Sequence, residues 1–464
     1  MRSEMRKNNY FVAVTLVALT TFWSGISASA ANNWVRFYDT GQDDFAGGSA
    51  IIALDDGSII VGGATVQPDA PPPTPFTDSW LMKVSPSGEI EWQRRYGAIL
   101  TENEFAIAPI AKGGYMAAVR FYSYDPGQGG NVPDAWILKL DENGTPITKR
   151  IYDSGVGESV QAIASAPDGT FYMVGTFDSV YIRDFWVVKV NPADGRVFYQ
   201  KKFYSLPQIP EFGMALGVLP DGSAAIGGTR SSGALTGDDI VVFRLSGQRD
   251  IHFAKAFHLA ADYSSSLVVA KNSIVVAGVT TFQVTSGTAF VILNLDFDGK
   301  LRWVKKVDVI CPYPPCDELN PHILATSDGG FLLAGTTNSV TTPAFDDVII
   351  VKLDKDGWLE WAKIYGDGDN DRSKSVIEFD GGFVVVADGF SATSTSRDVM
   401  LISIDPSSPG CEIQDITSLT IVSDVAGFLQ ESTVTLYQEN TRAKQKYFGT
   451  SETDTTAVGQ QSCP

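Results

Sequence analysis

The chain has 464 residues, with 35 Lys and Arg against 54 Asp and Glu, for a formal net charge of −19. That acidity argues against a nucleic-acid-binding face, which needs a basic footprint, and against adhesion to anionic lipid. The length suits either two or three ordinary domains or one large repeat ring.

Residues 1–31 read as a secretory signal peptide. Arg2, Arg6 and Lys7 make a basic start, Tyr10 to Trp23 is mostly apolar, and Ala28-Ser29-Ala30 offers a small-residue cleavage site. The apolar core is short for a membrane span, and no later stretch is long and apolar enough to be one. Its loss removes three bases and one acid, so the mature chain is more acidic still. Acidity of this kind keeps an exported protein soluble. The expected location is extracellular, at the cell surface or in the periplasm.

From Trp34 onward one short pattern recurs. A bulky residue is followed two positions later by a base, and two later by another bulky residue. The copies are Trp34-Arg36-Tyr38, Trp92-Arg94-Tyr96, Thr148-Arg150-Tyr152 (which opens on Thr), Tyr199-Lys201-Phe203, Phe253-Lys255-Phe257, Trp303-Lys305-Val307 and Trp361-Lys363-Tyr365. The first copy precedes any complete repeat and the last repeat lacks one. That offset is what a ring needs when its first strand completes its last unit.

Between copies, each unit runs through an acidic turn, a short strand, a Gly-containing hairpin, a strand ending in Gly, a variable loop, a third strand and a second turn. The hairpins include Asp55-Asp56-Gly57, Pro167-Asp168-Gly169 and Asp380-Gly381-Gly382. Gly and Asn tolerate the positive φ that tight hairpins demand. Runs such as IIVGG and FVVVADG are β-branched and aromatic, as strands prefer. Four short strands per unit at a period of about 50 to 60 residues predict β-propeller blades, and the hairpins count seven of them. The expected fold is therefore all-β: a seven-bladed propeller over residues 32–411, closed by its N-terminal strand. The Trp and Tyr residues are expected to pack between blades. Gln67 to Pro75 and Tyr122 to Val132 are read as variable loops. Residues 412–464 form a β-rich C-terminal extension, expected as a strand pair strapped to the ring or as a segment for binding partners.

The units resemble those of a group of secreted bacterial and archaeal β-propeller repeat proteins, written D-G-G-Y-x-x-A-G-x-T, D-x-W-x-x-K-L-D-x-x-G and W-x-K-x-Y-G. SDGGFLLAGTT, DAWILKLDENG and WAKIYG carry the likeness here, which covers about residues 33–405. Blade five departs most, with Asn272 in place of the Gly turn and Ala289 where other units have Asp. The resemblance implies the fold and no defined activity.

One acid precedes the first strand of each unit: Asp44, Glu104, Glu158, Glu211, Asp262, Glu318 and Asp371. They form either a structural ring of carboxylates accepting backbone N–H groups or a channel-mouth ring attracting cations. A second series, Asp78, Asp134, Asp184, Asp239, Asp347 and Asp398, opens the third strands. Asp367, Asp369 and Asp371 are the metal candidate, since alternating Asp suits calcium, although the later Glu of an EF-hand is missing. Of the three histidines, His322 falls in the innermost strand region of blade six and is a candidate for lining the channel. No cofactor is expected, calcium apart.

Four cysteines in an exported chain suggest two disulfides with three open pairings. Cys311–Cys316 and Cys411–Cys463 are favoured, the second tying down the tail. The expected function is a non-catalytic binding or structural module whose partner is a protein or glycan at the cell surface, with self-association through the extension. The alternative is an enzyme acting on a polysaccharide or small molecule in the channel, quinone- or metal-dependent.

Overall fold

The computed structural model describes the chain from Asn33 to Gln461, apart from short loop segments of which 68–75, 311–316, 339–344 and 407–412 are the longest. Beyond Glu439 it describes the backbone only. No helix among the described residues is long and apolar enough to cross a membrane.

Seven antiparallel blades form a closed ring. Blades one to six occupy residues 44–97, 102–153, 157–204, 211–258, 262–309 and 318–365, each with four consecutive strands, and blade seven begins at residue 372. Its fourth strand is Trp34–Asp39, which pairs with Arg397–Ile404 in the register Trp34↔Ser403 to Tyr38↔Val399. The chain's first strand therefore completes its last blade. First strands touch their neighbours around the ring, that of blade one meeting that of blade seven.

The sequence accounts for these strands by what covers them. Second and third strands, such as Ile274–Thr280 (IVVAGVT) and Asp347–Leu353 (DVIIVKL), are buried at every position. Both faces meet a neighbouring blade, so the apolar run is continuous instead of alternating. The fourth strand of blade five, Leu301–Val309, starts partly exposed and becomes buried along its length. The apolar core is divided into seven clusters, one in each seam between adjacent blades. The stretch expected as a variable loop in blade two is largely a long hairpin, with Tyr115–Asp125 paired to Gly130–Leu140.

The C-terminal extension corrects the expectation of a strand pair. It supplies a fifth, outermost strand to every blade. Ile413–Asp415 pairs with blade six, Thr420–Asp424 with five, Gln430–Thr433 with four, Tyr437–Asn440 with three, Lys444–Lys446 with two, Ser451–Asp454 with one and Val458–Gln461 with seven. All seven pairings are antiparallel. The segment thus runs backward around the rim as a belt, and it ends on the strand that begins the ring.

Candidate functional site: the central channel and its seams

The repeated motif is first a device for joining blades. The Tyr38 hydroxyl donates to the Gly88 carbonyl (2.7 Å) and the Tyr96 hydroxyl to the Gly144 carbonyl (2.5 Å), each in the second turn of the next blade. The base between the bulky residues does the same: Arg94 Nε donates to the Asn143 carbonyl at 2.7 Å, and Arg36 pairs with Glu89 at 2.8 Å. Trp92 lies so close to Gly144, whose φ is +76°, that a Cβ there would stand 2.7 Å from the indole. The Gly of the second turn and the aromatic of the motif are two halves of one contact.

The first acidic series lies inside these seams. Asp44, Glu158, Glu211, Asp262, Glu318 and Asp371 are all at most 1% exposed. Asp44 accepts the Thr40 N–H at 2.8 Å and Asp262 the N–H groups of Leu259 and Ala260, so these carboxylates hold the turns entering their blades. In blade two the residue at this level is Glu102, not Glu104. Glu102 pairs with Phe121 and Phe121 with Asp134, as Glu158 pairs with Phe177 and Phe177 with Asp184. Glu102 is fully buried. Glu104 is the residue skipped where the register shifts between Asn103 and Phe105. A bulge adds one residue and reverses the side-chain alternation, which spacing along the sequence cannot see.

In two seams a member of the second acidic series faces one of the first. Asp44 of blade one, Asp398 of blade seven and Asp39 bring their carboxylate oxygens within 4.8 Å of one another. Burial, with the nearby Asp398 charge adding to it, pushes the Asp44 carboxyl up to about 7. Burial likewise pushes Glu211 up to about 7, with Asp184 of the preceding blade contributing. Other members of the second series take bases: Asp78 pairs with Arg95 at 3.0 Å, Asp184 with Lys202 at 3.3 Å and Asp239 with Arg230 at 2.7 Å. Of the calcium candidates, Asp369 is exposed whereas Asp371 is enclosed in its seam, and Asp367 lies outside the described residues. Cys311, Cys316, Cys411 and Cys463 also lie outside them.

The same register shift opens a site. Every first strand bulges at one level, skipping Gln161 in blade three, Met214 in four, Ser265 in five, Asn320 with Pro321 in six and Lys374 in seven. In blade one the shift spans Ala46 to Ile51. The skipped Gln161, Met214, Ser265, Asn320 and Lys374, together with His322, line a central cavity of ≈ 550 Å³ that Phe45 and Phe105 also border. Asn320 takes a left-handed φ of 51°, which for a non-Gly residue is strained and gathers at ligand sites. Lys374 is held by Asp388 at 3.2 Å, and Asp388 also accepts the Ala46 N–H at 2.6 Å. His322 is neutral, because burial and the Lys374 charge push it down to about 3. Sequence reading placed His322 near this channel and missed the bulge positions, whose only trace is a local break in strand alternation.

No protein-family model matches the chain, and a comparison with curated proteins finds no match either. Solved structures are similar to it over most of its length. A polysaccharide lyase, Uly1, is 11% identical with a TM-score of 0.49, over 80% of this chain and 98% of that one. The β-propeller domain of the Trilobed protease from Pyrococcus furiosus is 11% identical with a TM-score of 0.43, over 81% and 96%. A protein of unknown function from Dyadobacter fermentans is 9% identical with a TM-score of 0.42, over 81% and 98%.

Proposed function

We propose that the protein is an exported, non-catalytic binding module at the cell surface or in the extracellular space, and that the central cavity is where it grips its partner. One observation carries this reading. Positions that the architecture makes equivalent hold Gln161, Met214, Ser265, Asn320 and Lys374, while the motif and acidic positions around them repeat. A rotationally repeated scaffold has no structural need for unlike residues at one level; a single asymmetric ligand does. The lining offers amides, hydroxyls, an imidazole, an ammonium and two aromatic rings, the mixture of polar groups on an apolar wall that small ligand sites use. Its volume suits one protruding unit of a larger partner, a sugar residue or a side chain of a surface protein.

The test is retention of the mature protein on washed producer cells, alongside binding to arrayed glycans and surface proteins. Ser265→Trp fills the cavity and Gln161→Ala strips one amide from it. Both variants are expected to lose retention, and the partner on the arrays, with unchanged thermal unfolding. Retention equal to that of the unaltered protein in the folded Ser265→Trp variant would remove the cavity from the function.

A further inference from the structure

The rim that the belt covers is built to recognise a strand of one kind. In every blade but the second, where the belt strand is Lys444–Lys446, the belt brings an acid or an amide to the motif base on the outer edge. Lys363 pairs in register with Asp415 and Lys305 with Asp424, whose carboxylate lies 3.0 Å from its ammonium. Lys255 meets Glu431, Lys201 donates to the Gln438 amide oxygen at 2.8 Å, and Lys202 lies 3.3 Å from Glu439. Arg94 pairs in register with Asp454. Between strands the belt drops an apolar side chain into each successive seam: Ile416 between blades five and six, Val425 between four and five, and Val434 with Leu436 between three and four. Ile416, Val425 and Val434 are nine residues apart, one step per blade. Each contact is small, because the belt strands run only three to five residues.

We propose that this rim is an interaction surface for a second copy of this chain, whose C-terminal segment takes the belt's place by strand exchange. Charge decides between the ways two copies could pair. Two bare rims would set base against base, whereas a rim and a foreign belt reproduce every contact of the closed molecule. The exchange forms no new kind of bond. Its equilibrium is set by protein concentration against the linkage that keeps a belt beside its own ring, as in domain swapping generally. The ring's seams consist mainly of blade residues, so a ring that gives up its belt keeps its cores.

A charge swap tests this in the full-length mature chain with its cysteines kept reduced, since a disulfide between Cys411 and Cys463 would hold each belt to its own ring. The rim variant carries Lys201→Glu and Lys255→Glu; the belt variant carries Gln438→Lys and Glu431→Lys. Each is mismatched within itself, yet the rim variant's ring fits the belt variant's belt, and the reverse pair is native. Sedimentation after equilibration at about 100 µM, a range in which protein association is readily populated, is expected to show monomers for each alone and a dimer for the equimolar mixture. One chain carrying all four substitutions is expected to return to monomer. A mixture that remains monomeric, or one that associates no more than either variant alone, overturns the proposal. Near-ultraviolet circular dichroism confirms the ring in each variant. Should the rim variant fail to fold, the belt variant is given a synthetic peptide of residues 413–440 in the unaltered sequence, which is expected to bind its native rim in place of the mismatched belt; absence of binding would count against exchange.

Discussion

Asp44 shows what a single buried carboxyl does to this ring. Its folded value is about 7, against an unfolded value near 4, so the folded state holds a proton that the unfolded chain releases. That contribution is fully present below about pH 4 and is lost as pH rises through 7, on the order of 2–4 kcal/mol for such a shift. Glu211 acts in the same window. Asp56, held at about 2 by its hydrogen bonds from Lys83 and Ser58, acts only in more acid solution. Urea unfolding at pH 4.5 and 7.5 should therefore find the protein more stable at the lower pH. Asp44→Asn, which keeps an oxygen for the Thr40 N–H, should flatten that slope; an unchanged slope would show the carboxyl to be ionised in its seam. A second comparison at this scale separates backbone from packing. Gly169 and Gly144 have φ of +79° and +76°, but a Cβ at Gly169 meets nothing within 4 Å whereas one at Gly144 meets Trp92. Alanine at Gly169 should cost about 1 kcal/mol for its backbone alone. Alanine at Gly144 should cost about 1–3 kcal/mol more, since the indole of blade one must move. Equal losses in thermal unfolding would mean that the turn gives way and the seam does not depend on it.

Strands and turns were readable in the sequence because their causes are local. A Gly turn, a run of β-branched residues and the Trp-x-Arg-x-Tyr motif each sit within a few residues, and seven copies reinforce one another. The belt was not readable for the opposite reason. Thr420–Asp424 is a strand because Leu301–Val309 offers it an edge, and that edge lies more than a hundred residues earlier. The trace it left was the nine-residue step of Ile416, Val425 and Val434, which is too weak to stand out in a polar tail. The Glu102 and Glu104 choice failed because two acids stand two residues apart and the length of the units varies by more than that. Lys305 gives the belt a measurable anchor: it is 2% exposed, bound to Asp424 and seated 3.6 Å from the centre of the Trp358 ring. Lys305→Met keeps the length of the stem and removes the charge. Amide exchange in Thr420–Asp424 should quicken by about tenfold, the effect of losing roughly 1 kcal/mol of local stability, with Ile274–Thr280 unchanged. Uniform quickening across blade five would instead make Lys305 a part of the blade's own core.

At the scale of the whole molecule the two ends of the chain meet in blade seven. Trp34–Asp39 lies between Arg397–Ile404 on one side and Val458–Gln461 on the other, so the strand that closes the ring is itself covered by the strand that closes the belt. Such long-range pairings form late and slowly, and unfolding must undo them before a blade can leave. The belt begins on blade six and ends on blade seven, which are neighbours. Cys411 stands two residues before its first strand, Ile413–Asp415, and Cys463 two residues after its last, Val458–Gln461. A disulfide between them would turn a strap into a hoop, so exchange with a second copy belongs to the chain in which that bridge is open. By loop closure over a segment of this length it would add about 4 kcal/mol against the unfolded chain. Peptide mapping without reductant should recover the Cys411 and Cys463 peptides joined, and Cys463→Ser should shorten the half-life at elevated temperature by about tenfold or more, because belt release then precedes unfolding. Recovery of both cysteines as free thiols, with the same half-life in the variant, would leave the seven pairings alone to hold the ring, and the rim open to exchange from the moment the protein is made.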